Sequence, residues 1–399
     1  MFKIKLFDFF KKNKNNFGLL FLTQITTTLF LLLNNIILTR YFDLNNFGFY
    51  KYILAVFSIG ATFSLGGFSK SLLISSAKSF GGNFKSLTFK RFLTAILVSI
   101  PVTIVLYHNN HNYHLYIYFL IFFVFPFFTV QSHWKIWLEG NLSFKKYFKF
   151  SLLLQVALLV FSFALLLFKP IYSFGLISLI ILKAIIENFY NYLINLKLNN
   201  KTKSNIVSKG YSYSIGEIFG ATAWFNVMII NYFLDLKSVA FYSVVIVFPA
   251  LLKNLFAMSN KILNKKIINL ENTKELNVYF KKYFIVLIGF FSMFGLVGYF
   301  MIPYIIEVIY PPNYKAVSSL ASIVFLLFSF NLPISYFSNA LTLRGNTNFF
   351  NNYQLYNTII QLSFLSVGLY YFGLNGIIIP YLGSLLFSNI FSIYNLKNI

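Results

Sequence analysis

Twelve segments of this 399-residue chain are apolar over lengths that can cross a bilayer, and only short polar loops separate them. A membrane-spanning helix needs roughly 17–25 residues to cross about 30 Å of hydrocarbon. Hydrophobic residues make up 58% of the chain and charged residues 11%, whereas soluble domains average about 45–50% and about 25%. We therefore predict an all-α integral membrane protein of about twelve transmembrane helices. The predicted spans are Phe17–Thr39, Phe49–Ser69, Phe92–Tyr107, Leu115–Val130, Phe150–Phe168, Tyr172–Leu196, Tyr211–Leu234, Val239–Met258, Tyr283–Ile302, Ala316–Leu343, Tyr353–Phe372 and Leu374–Tyr394.

The basic residues fall on one side of this arrangement. With the amino terminus in the cytoplasm and the spans alternating, all but six of the 33 Lys and Arg residues lie on or near the cytoplasmic face. The six exceptions are Arg40, Lys51, Lys169, Lys183, Lys237 and Lys315. This asymmetry follows the positive-inside rule and accounts for the net charge of +24, so we expect no nucleic-acid partner. A multi-pass protein with both termini in the cytoplasm is predicted.

Two short segments recur in order along the chain. The loop of residues 43–50 (DLNNFGFY) matches residues 235–242 (DLKSVAFY), and residues 140–144 (GNLSF) match residues 345–349 (GNTNF). Each pair holds the same place after the first and fourth spans of its half, which indicates a duplicated unit. Because six spans are an even number, the copies cross the membrane in the same sense. We predict two six-helix bundles related as parallel repeats, residues 1–198 and residues 199–399.

The residue types that soluble enzymes use are scarce. The chain has no cysteine, which removes thiolate metal sites and Cys nucleophiles. His108, His111 and His114 share one short outer loop, but their spacing is not a standard ligand pattern and no carboxylate lies nearby. We predict no metal, no cofactor and no catalytic residue, and hence a protein that is not an enzyme.

Charged groups inside spans are the first candidates for function, because each costs at least about 2.5 kcal/mol near the bilayer centre. On the sixth span Lys183, Glu187, Asn191 and Asn195 recur every four residues and form one polar stripe. Lys183 and Glu187 lie one turn apart, so either they neutralise each other between packed helices or they line a cavity and take part in transport.

Glu217 lies near the inner end of the seventh span, between Gly216 and Gly220. The glycine spacing is typical of close helix packing. Alternatively, Glu217 or Glu187 could bind a coupling proton or cation.

Uncharged polar residues form broad faces on two other spans. Gln24 and Asn35 belong to the face of the first span, and Gln361 belongs to that of the eleventh. Amides in membranes often only bond neighbouring helices, and the alternative is that these faces line a substrate path.

Arg40 and Lys51 flank the outer ends of the first two spans, against the prevailing charge. They could snorkel towards headgroups. They could also bind a phosphate, for which Arg offers a bidentate fork and Lys a point charge.

Three runs of residues resemble a known family. Residues 39–50 (TRYFDLNNFGFY), continuing to residues 65–68 (LGGF), resemble the opening signature of the polysaccharide-biosynthesis exporters, the Wzx-type O-antigen flippases. Residues 310–316 (YPPNYKA) and 339–346 (NALTLRGN) resemble signatures of its second half. This family belongs to the multidrug/oligosaccharidyl-lipid/polysaccharide exporter superfamily, together with the MATE extruders and the lipid II flippases.

The resemblance implies a V-shaped pair of six-helix bundles in the bacterial inner membrane. Its substrate would be an undecaprenyl-pyrophosphate-linked oligosaccharide of O-antigen or capsule type, flipped from the inner to the outer leaflet by alternating access while the lipid tail stays among the membrane lipids. A cationic cavity is expected, and a polysaccharide polymerase is a candidate partner. The residues that could supply the charge are Arg40, Lys51, Lys70 and Lys183.

Two other functions remain open. An ion-coupled drug or metabolite antiporter of the same superfamily would use an intramembrane carboxylate such as Glu187 or Glu217. A membrane polysaccharide polymerase or glycosyltransferase would carry a large external loop or external acidic motifs, and the sequence shows neither.

Overall fold

A computed structural model describes residues 14–109, 114–168, 172–254, 273–343 and 347–397. The described residues form α-helices joined by short turns and 3-10 segments, and no strand occurs among them. The helices of the first half are α1 (Lys14–Tyr41), α2 (Leu44–Phe63), α3 (Phe68–Ala77), α4 (Gly82–Asn109), α5 (Leu115–Val130), α6 (His133–Gly140), α7 (Phe144–Phe168) and α8 (Tyr172–Asn195). Those of the second half are α9 (Ser204–Gly220), α10 (Thr222–Phe233), α11 (Leu236–Val245), α12 (Thr273–Ile309), α13 (Ser318–Leu343), α14 (Thr347–Phe372) and α15 (Ile378–Lys397).

Ten helical stretches among the described residues are long and apolar enough to cross a membrane, or eleven if the bent pair α2 and α3 is one span. One stretch, Asn351–Ser388, contains both α14 and α15. Gly368 of α14 contacts Gly376 in the connecting 3-10 segment, Phe364 contacts Gly383 of α15, and Tyr353 contacts Ser388 of α15, so the partners move backwards along α14 as they move forwards along the following chain. The two helices are therefore antiparallel, and counting them separately brings the total to the predicted twelve crossings.

The first repeated segment marks an equivalent helix start in each half. Asp43 caps α2 by accepting a hydrogen bond from the Asn46 backbone N–H at 2.7 Å, and Asp235 caps α11 through the Ser238 N–H at 2.7 Å. An aspartate at this position satisfies one of the free N–H groups of a helix start. The repeat thus preserves a capping geometry within the chain, whereas residues 345–346 of the second repeat lie outside the described residues.

The second predicted span, Phe49–Ser69, is broken rather than continuous. Helix α2 ends at Phe63, α3 begins at Phe68, and the two are bent by 68°. Leu65 in the connection has a φ of 56°. Gly67 at the start of α3 packs so tightly that a Cβ there would overlap the Ser214 backbone nitrogen of α9, so this close approach between the halves requires glycine.

Several predicted ends also differ. Helix α4 begins at Gly82 rather than Phe92, and the fourth span continues through α6 to Gly140 instead of ending at Val130. Lys135, assigned to a loop from the sequence, therefore lies within a span. Residues 255–272 lie outside the described residues, and from Thr273 the chain belongs to α12.

The two halves meet through α2 and α3 on one side and α9, α10 and α11 on the other. At one end of this seam, which the predicted orientation places outside, Gly48 of α2 approaches Leu236 of α11 so closely that a Cβ on Gly48 would overlap the Leu236 carbonyl oxygen. At the other end, Ser71 Oγ donates to the Ile206 carbonyl at 2.8 Å. The halves are therefore in contact at both ends of this seam.

Candidate functional site

A cavity of about 310 Å³ lies inside the first half, between α1, α2, α5, α6, α7 and α8. Its wall combines apolar side chains, mainly leucines, with polar side chains from five of these six helices. The polar lining residues are Thr27, Asn34, Asn35, Lys51, Lys135, Gln155, Ser162 and Lys183. A cavity with three lysines within a membrane-spanning bundle is expensive to form unless water or a ligand occupies it.

Lys51 lies half-buried in the second turn of α2. Its ammonium donates to Asn35 Oδ1 at 3.1 Å and lies 5.0 Å from the centre of the Phe47 ring. No described carboxylate forms an ion pair with it. Since an ammonium without a counterion is poorly stabilised in a low-dielectric site, Lys51 is suited to receive an anion.

Glu187 is fully buried, and its partner is not the one nearest in sequence. Lys135 Nζ lies 2.7 Å from Glu187 Oε1, whereas Lys183 makes no ion pair within the described residues. The ion pair of the stripe is therefore Lys135–Glu187, while Lys183 still interacts electrostatically with Glu187 from one turn away. Lys183 also lines the cavity, so both interpretations of the stripe stay predictions.

The cavity carries more positive than negative charge. Lys51, Lys135 and Lys183 line the cavity, and among the described residues the one carboxylate that forms an ion pair with any of them is Glu187, with Lys135. Two amide oxygens of the lining, Asn34 Oδ1 and Gln155 Oε1, are buried without a protein partner. Buried polar atoms of this kind need water or a ligand group, so the cavity can hold a hydrated or oxygen-rich anion.

A second polar cluster lies in the seam between the halves, near the Ser71–Ile206 contact. Lys70 of α3 lies 3.2 Å from Glu217 Oε1 of α9. This pair joins the two halves directly. Lys70 and Glu217, predicted as a substrate residue and an ion-coupling residue, are thus partners here and neither lines the cavity.

Arg91 bridges the break between α2 and α3. One guanidinium nitrogen donates to the Ala61 carbonyl in the last turn of α2 at 3.2 Å, and the other donates to Ser69 Oγ of α3 at 2.8 Å. His133 Nε2 lies 3.2 Å from the second nitrogen, and its Nδ1 contacts Thr88 Oγ1 at 2.8 Å. A cation near a helix C-terminus stabilises the free carbonyls there, so Arg91 holds the broken span in its bent form.

The other predicted site residues lie elsewhere. Arg40 is exposed and donates through Nε to the Ile309 carbonyl at 3.1 Å, and Gln24 is buried in α1. Gln361 donates to Ser384 Oγ at 2.8 Å within the second half. Of the seven predicted substrate residues, only Lys51, Lys183 and Asn35 line the cavity.

Lys135, Arg91 and Gln155 belong to these sites although they are not among the site residues predicted from the sequence. The predicted spans place Lys135 and Arg91 in cytoplasmic loops. The apolar residues 136–138 (IWL) after Lys135 were a signal that the helix continues past it. Among the described residues, no three His, Asp or Glu side chains approach closely enough to hold a metal ion, and His111 lies outside them.

No sequence profile of a known family matches the chain, and no curated relative matches it. Several solved structures, in contrast, are similar to it. A ligand complex of the MATE multidrug transporter DinF-BH has a TM-score of 0.73 at 10% identity, covering 97% of this chain and 95% of that one. A point mutant of a MATE protein has a TM-score of 0.64 at 12% identity, covering 97% of both chains. A point mutant of the Vibrio cholerae MATE transporter VcmN has a TM-score of 0.59 at 11% identity, covering 98% of this chain and 97% of that one.

These similarities extend over almost the whole chain at low sequence identity. They agree with the helical architecture described above, in which two sets of membrane-spanning helices meet along a seam. The chain is therefore an all-α, multi-pass membrane protein with the fold of the MATE transporters.

Proposed function

We propose that this protein is an alternating-access transporter that moves an undecaprenyl-pyrophosphate-linked oligosaccharide from the inner to the outer leaflet. The observation that carries the proposal is the excess of lysine over carboxylate in a cavity within the membrane. In such a low-dielectric site a charge is stabilised mainly by an opposite charge nearby. A pyrophosphate would supply that charge, whereas a cationic cargo would be repelled by Lys51 and Lys183.

The arrangement of the halves supports alternating access. Their outer ends touch at Gly48 and Leu236, and Asn35 Nδ2 of α1 donates to the Tyr310 hydroxyl at 3.1 Å. Transporters built from parallel repeats alternate access by rocking one half against the other. We propose residues 1–198 and 199–399 as the two moving bodies, with the outer side closed in this conformation.

The cavity is suited to the pyrophosphate rather than to the whole cargo. In the proposed cycle the anionic group enters the first half from the inner leaflet, the sugars lie along the seam between the halves, and the lipid tail remains in the bilayer. We place the protein in a bacterial inner membrane, with a polysaccharide polymerase as the partner that receives the flipped lipid.

A second candidate function is an ion-coupled drug antiporter, and the fold similarity to multidrug transporters favours it. Glu187 and Glu217 would then bind the coupling ion. Each of these carboxylates already faces a lysine, Lys135 and Lys70 respectively, so a cation would have to displace an ammonium. A proton would not, since it would neutralise the carboxylate and release the lysine.

The two functions are separated by transport in proteoliposomes. The parent protein is expected to move a labelled undecaprenyl-pyrophosphate disaccharide between leaflets and to leave uptake of a fluorescent cationic dye at the level of empty vesicles. Lys51→Ala combined with Lys183→Ala should slow lipid flipping roughly tenfold or more, because each lost charged hydrogen bond is worth about 1.5–3 kcal/mol. Lys145→Ala combined with Lys149→Ala, two exposed lysines of α7, is the matched control and should keep the parent rate.

Two results would contradict the proposal. Proton-driven transport of the cationic dye without lipid movement would assign the antiporter function instead. Equal flipping rates for the cavity double variant and its control would remove the cavity from the substrate path.

A further inference from the structure

Lys51, Asn35 and Tyr310 form a chain of hydrogen bonds that crosses from the cavity to the other half of the protein. The Lys51 ammonium donates to Asn35 Oδ1 at 3.1 Å, and Asn35 Nδ2 donates to the Tyr310 hydroxyl at 3.1 Å. Lys51 and Asn35 line the cavity in the first half. Tyr310 follows α12 of the second half and is 3% exposed.

Both bonds depend on one amide group. Asn35 accepts from a cation with its oxygen and donates with its nitrogen, so each bond polarises the amide in the sense that strengthens the other. Asn35 is itself 5% exposed, and little water is available to replace either partner. A change at Lys51 is therefore felt at Tyr310.

The position of Tyr310 makes this chain a contact between the halves at the outer side. Arg40 of α1 donates to the neighbouring Ile309 carbonyl at 3.1 Å, and the Tyr310 ring lies 5.9 Å from that of Tyr314. Besides the approach of Gly48 to Leu236, the bonds from Arg40 to Ile309 and from Asn35 to Tyr310 are contacts by which the first half holds the outer end of the second.

We infer that Asn35 and Tyr310 are positioning residues that tie the Lys51 ammonium, and hence occupation of the cavity by an anion, to closure of the outer side. This inference rests on the proposed function in taking the cargo as an anion. An anion that takes the Lys51 ammonium withdraws it from Asn35. The amide then loses its charged partner, its bond to Tyr310 weakens, and the outer ends of the halves separate.

Thermodynamic linkage predicts a change in anion affinity that would not occur if Tyr310 only supported the fold. If closure holds Lys51 on Asn35, removing the Tyr310 hydroxyl must both open the outer side and strengthen anion binding, because coupling between two equilibria is reciprocal. A tyrosine that only supported the fold would lower anion affinity or leave it unchanged when mutated.

The experiment uses the full chain in lipid nanodiscs. Since the protein has no cysteine, spin labels can be placed at Asn45→Cys and Lys237→Cys, two exposed positions at the starts of α2 and α11. Pulsed electron paramagnetic resonance reports the separation of these helix starts. Isothermal titration with inorganic pyrophosphate reports the affinity of the cavity.

Tyr310→Phe is compared with Tyr304→Phe, a tyrosine of α12 that is 72% exposed. We expect Tyr310→Phe to shift the label distances towards the separated state without ligand and to bind pyrophosphate about fivefold more tightly or better, in the usual range of such couplings. Tyr304→Phe should match the parent in both. Lys51→Met removes the charged partner of Asn35, so its label distances should already lie towards the separated state without ligand and should not change when pyrophosphate is added, whereas in the parent pyrophosphate should shift them.

Identical distances and affinities for Tyr310→Phe and Tyr304→Phe would overturn the inference, as would a pyrophosphate response in Lys51→Met equal to that of the parent. A parent protein that binds no pyrophosphate would count against the proposed function. The distance comparison without ligand would still decide whether Tyr310 holds the outer side closed.

Discussion

Lys135 Nζ lies 2.7 Å from Glu187 Oε1, and this ion pair connects α6 to α8 beside the cavity that Lys135 lines. Glu187 is fully buried, and its second oxygen has no protein partner. The pair therefore removes one charge of each sign from the cavity lining and leaves Lys51 and Lys183 as the cations without a bonded carboxylate. This ion pair leaves the cavity with a net positive charge, and the proposed function depends on that charge.

Removing Lys135 should destabilise the protein. Lys135→Ala leaves a buried carboxylate without its counterion, for which the loss is about 3–5 kcal/mol. Thermal unfolding in detergent should show a clearly lower midpoint than for Lys145→Ala, which removes an exposed lysine of α7. Lys135→Ala combined with Glu187→Gln should recover most of the loss, and failure to recover would show that Lys135 acts by packing rather than by charge.

Arg91 should be required for the bent form of the second span. Arg91→Met removes donors to the Ala61 carbonyl and to Ser69 Oγ, and hydrogen bonds from a charged group contribute about 1.5–3 kcal/mol each. Arg91→Lys should recover only part of the stability, because a point charge cannot reach both acceptors as the planar fork does. Lys90→Met, the exposed neighbour, is the control in the same unfolding measurement.

Contact between the halves should depend on Gly67. A methyl group there would overlap the Ser214 backbone, so Gly67→Ala should destabilise the protein by about 1–3 kcal/mol, as overpacking does. A Cβ at Gly289 of α12 would meet no atom within 4 Å, so Gly289→Ala should have no such effect. The thermal unfolding midpoints of the two variants should be compared. Equal midpoints would mean that the helices at the seam can move apart to accommodate the methyl group.

Substitutions of Arg40 and Lys183 should differ in their effect on pyrophosphate affinity, although both residues are predicted from the sequence to bind the substrate. Lys183 lines the cavity, while Arg40 is exposed and bonded to the Ile309 carbonyl. Lys183→Ala should weaken inorganic pyrophosphate binding roughly tenfold or more. Arg40→Ala should change it by less than about twofold, as a surface substitution does. The reverse order in titration calorimetry would place the anion near Arg40.

The predicted orientation can be measured with single cysteines. Asn45→Cys and Lys237→Cys should both react with a membrane-impermeant maleimide added outside intact cells, because the equivalent helix starts of parallel repeats share one face. Asn200→Cys, exposed between α8 and α9, should react only after the cells are opened. Reaction of Asn45→Cys and Lys237→Cys from opposite faces would show that the halves are inverted.

Some features followed from the chain alone because they depend on local chemistry and length. Apolar runs of bilayer length predict helices wherever they occur, since a backbone in lipid must satisfy its own hydrogen bonds. The match of residues 43–50 to 235–242 likewise indicates an equivalent segment in each half, although the structure begins α2 and α11 directly after Asp43 and Asp235 where the sequence predicts a loop. Neither conclusion requires knowledge of which helices are neighbours.

The charge of the cavity was decided only by the tertiary structure. The sequence places Lys183 one turn from Glu187, yet the carboxylate pairs with Lys135, 52 residues earlier. Which cation reaches a buried carboxylate depends on how each helix is rotated and how far it continues, and packing between helices sets both. For the same reason the break before Gly67 and the bond from Asn35 to Tyr310 could not be predicted from residue order.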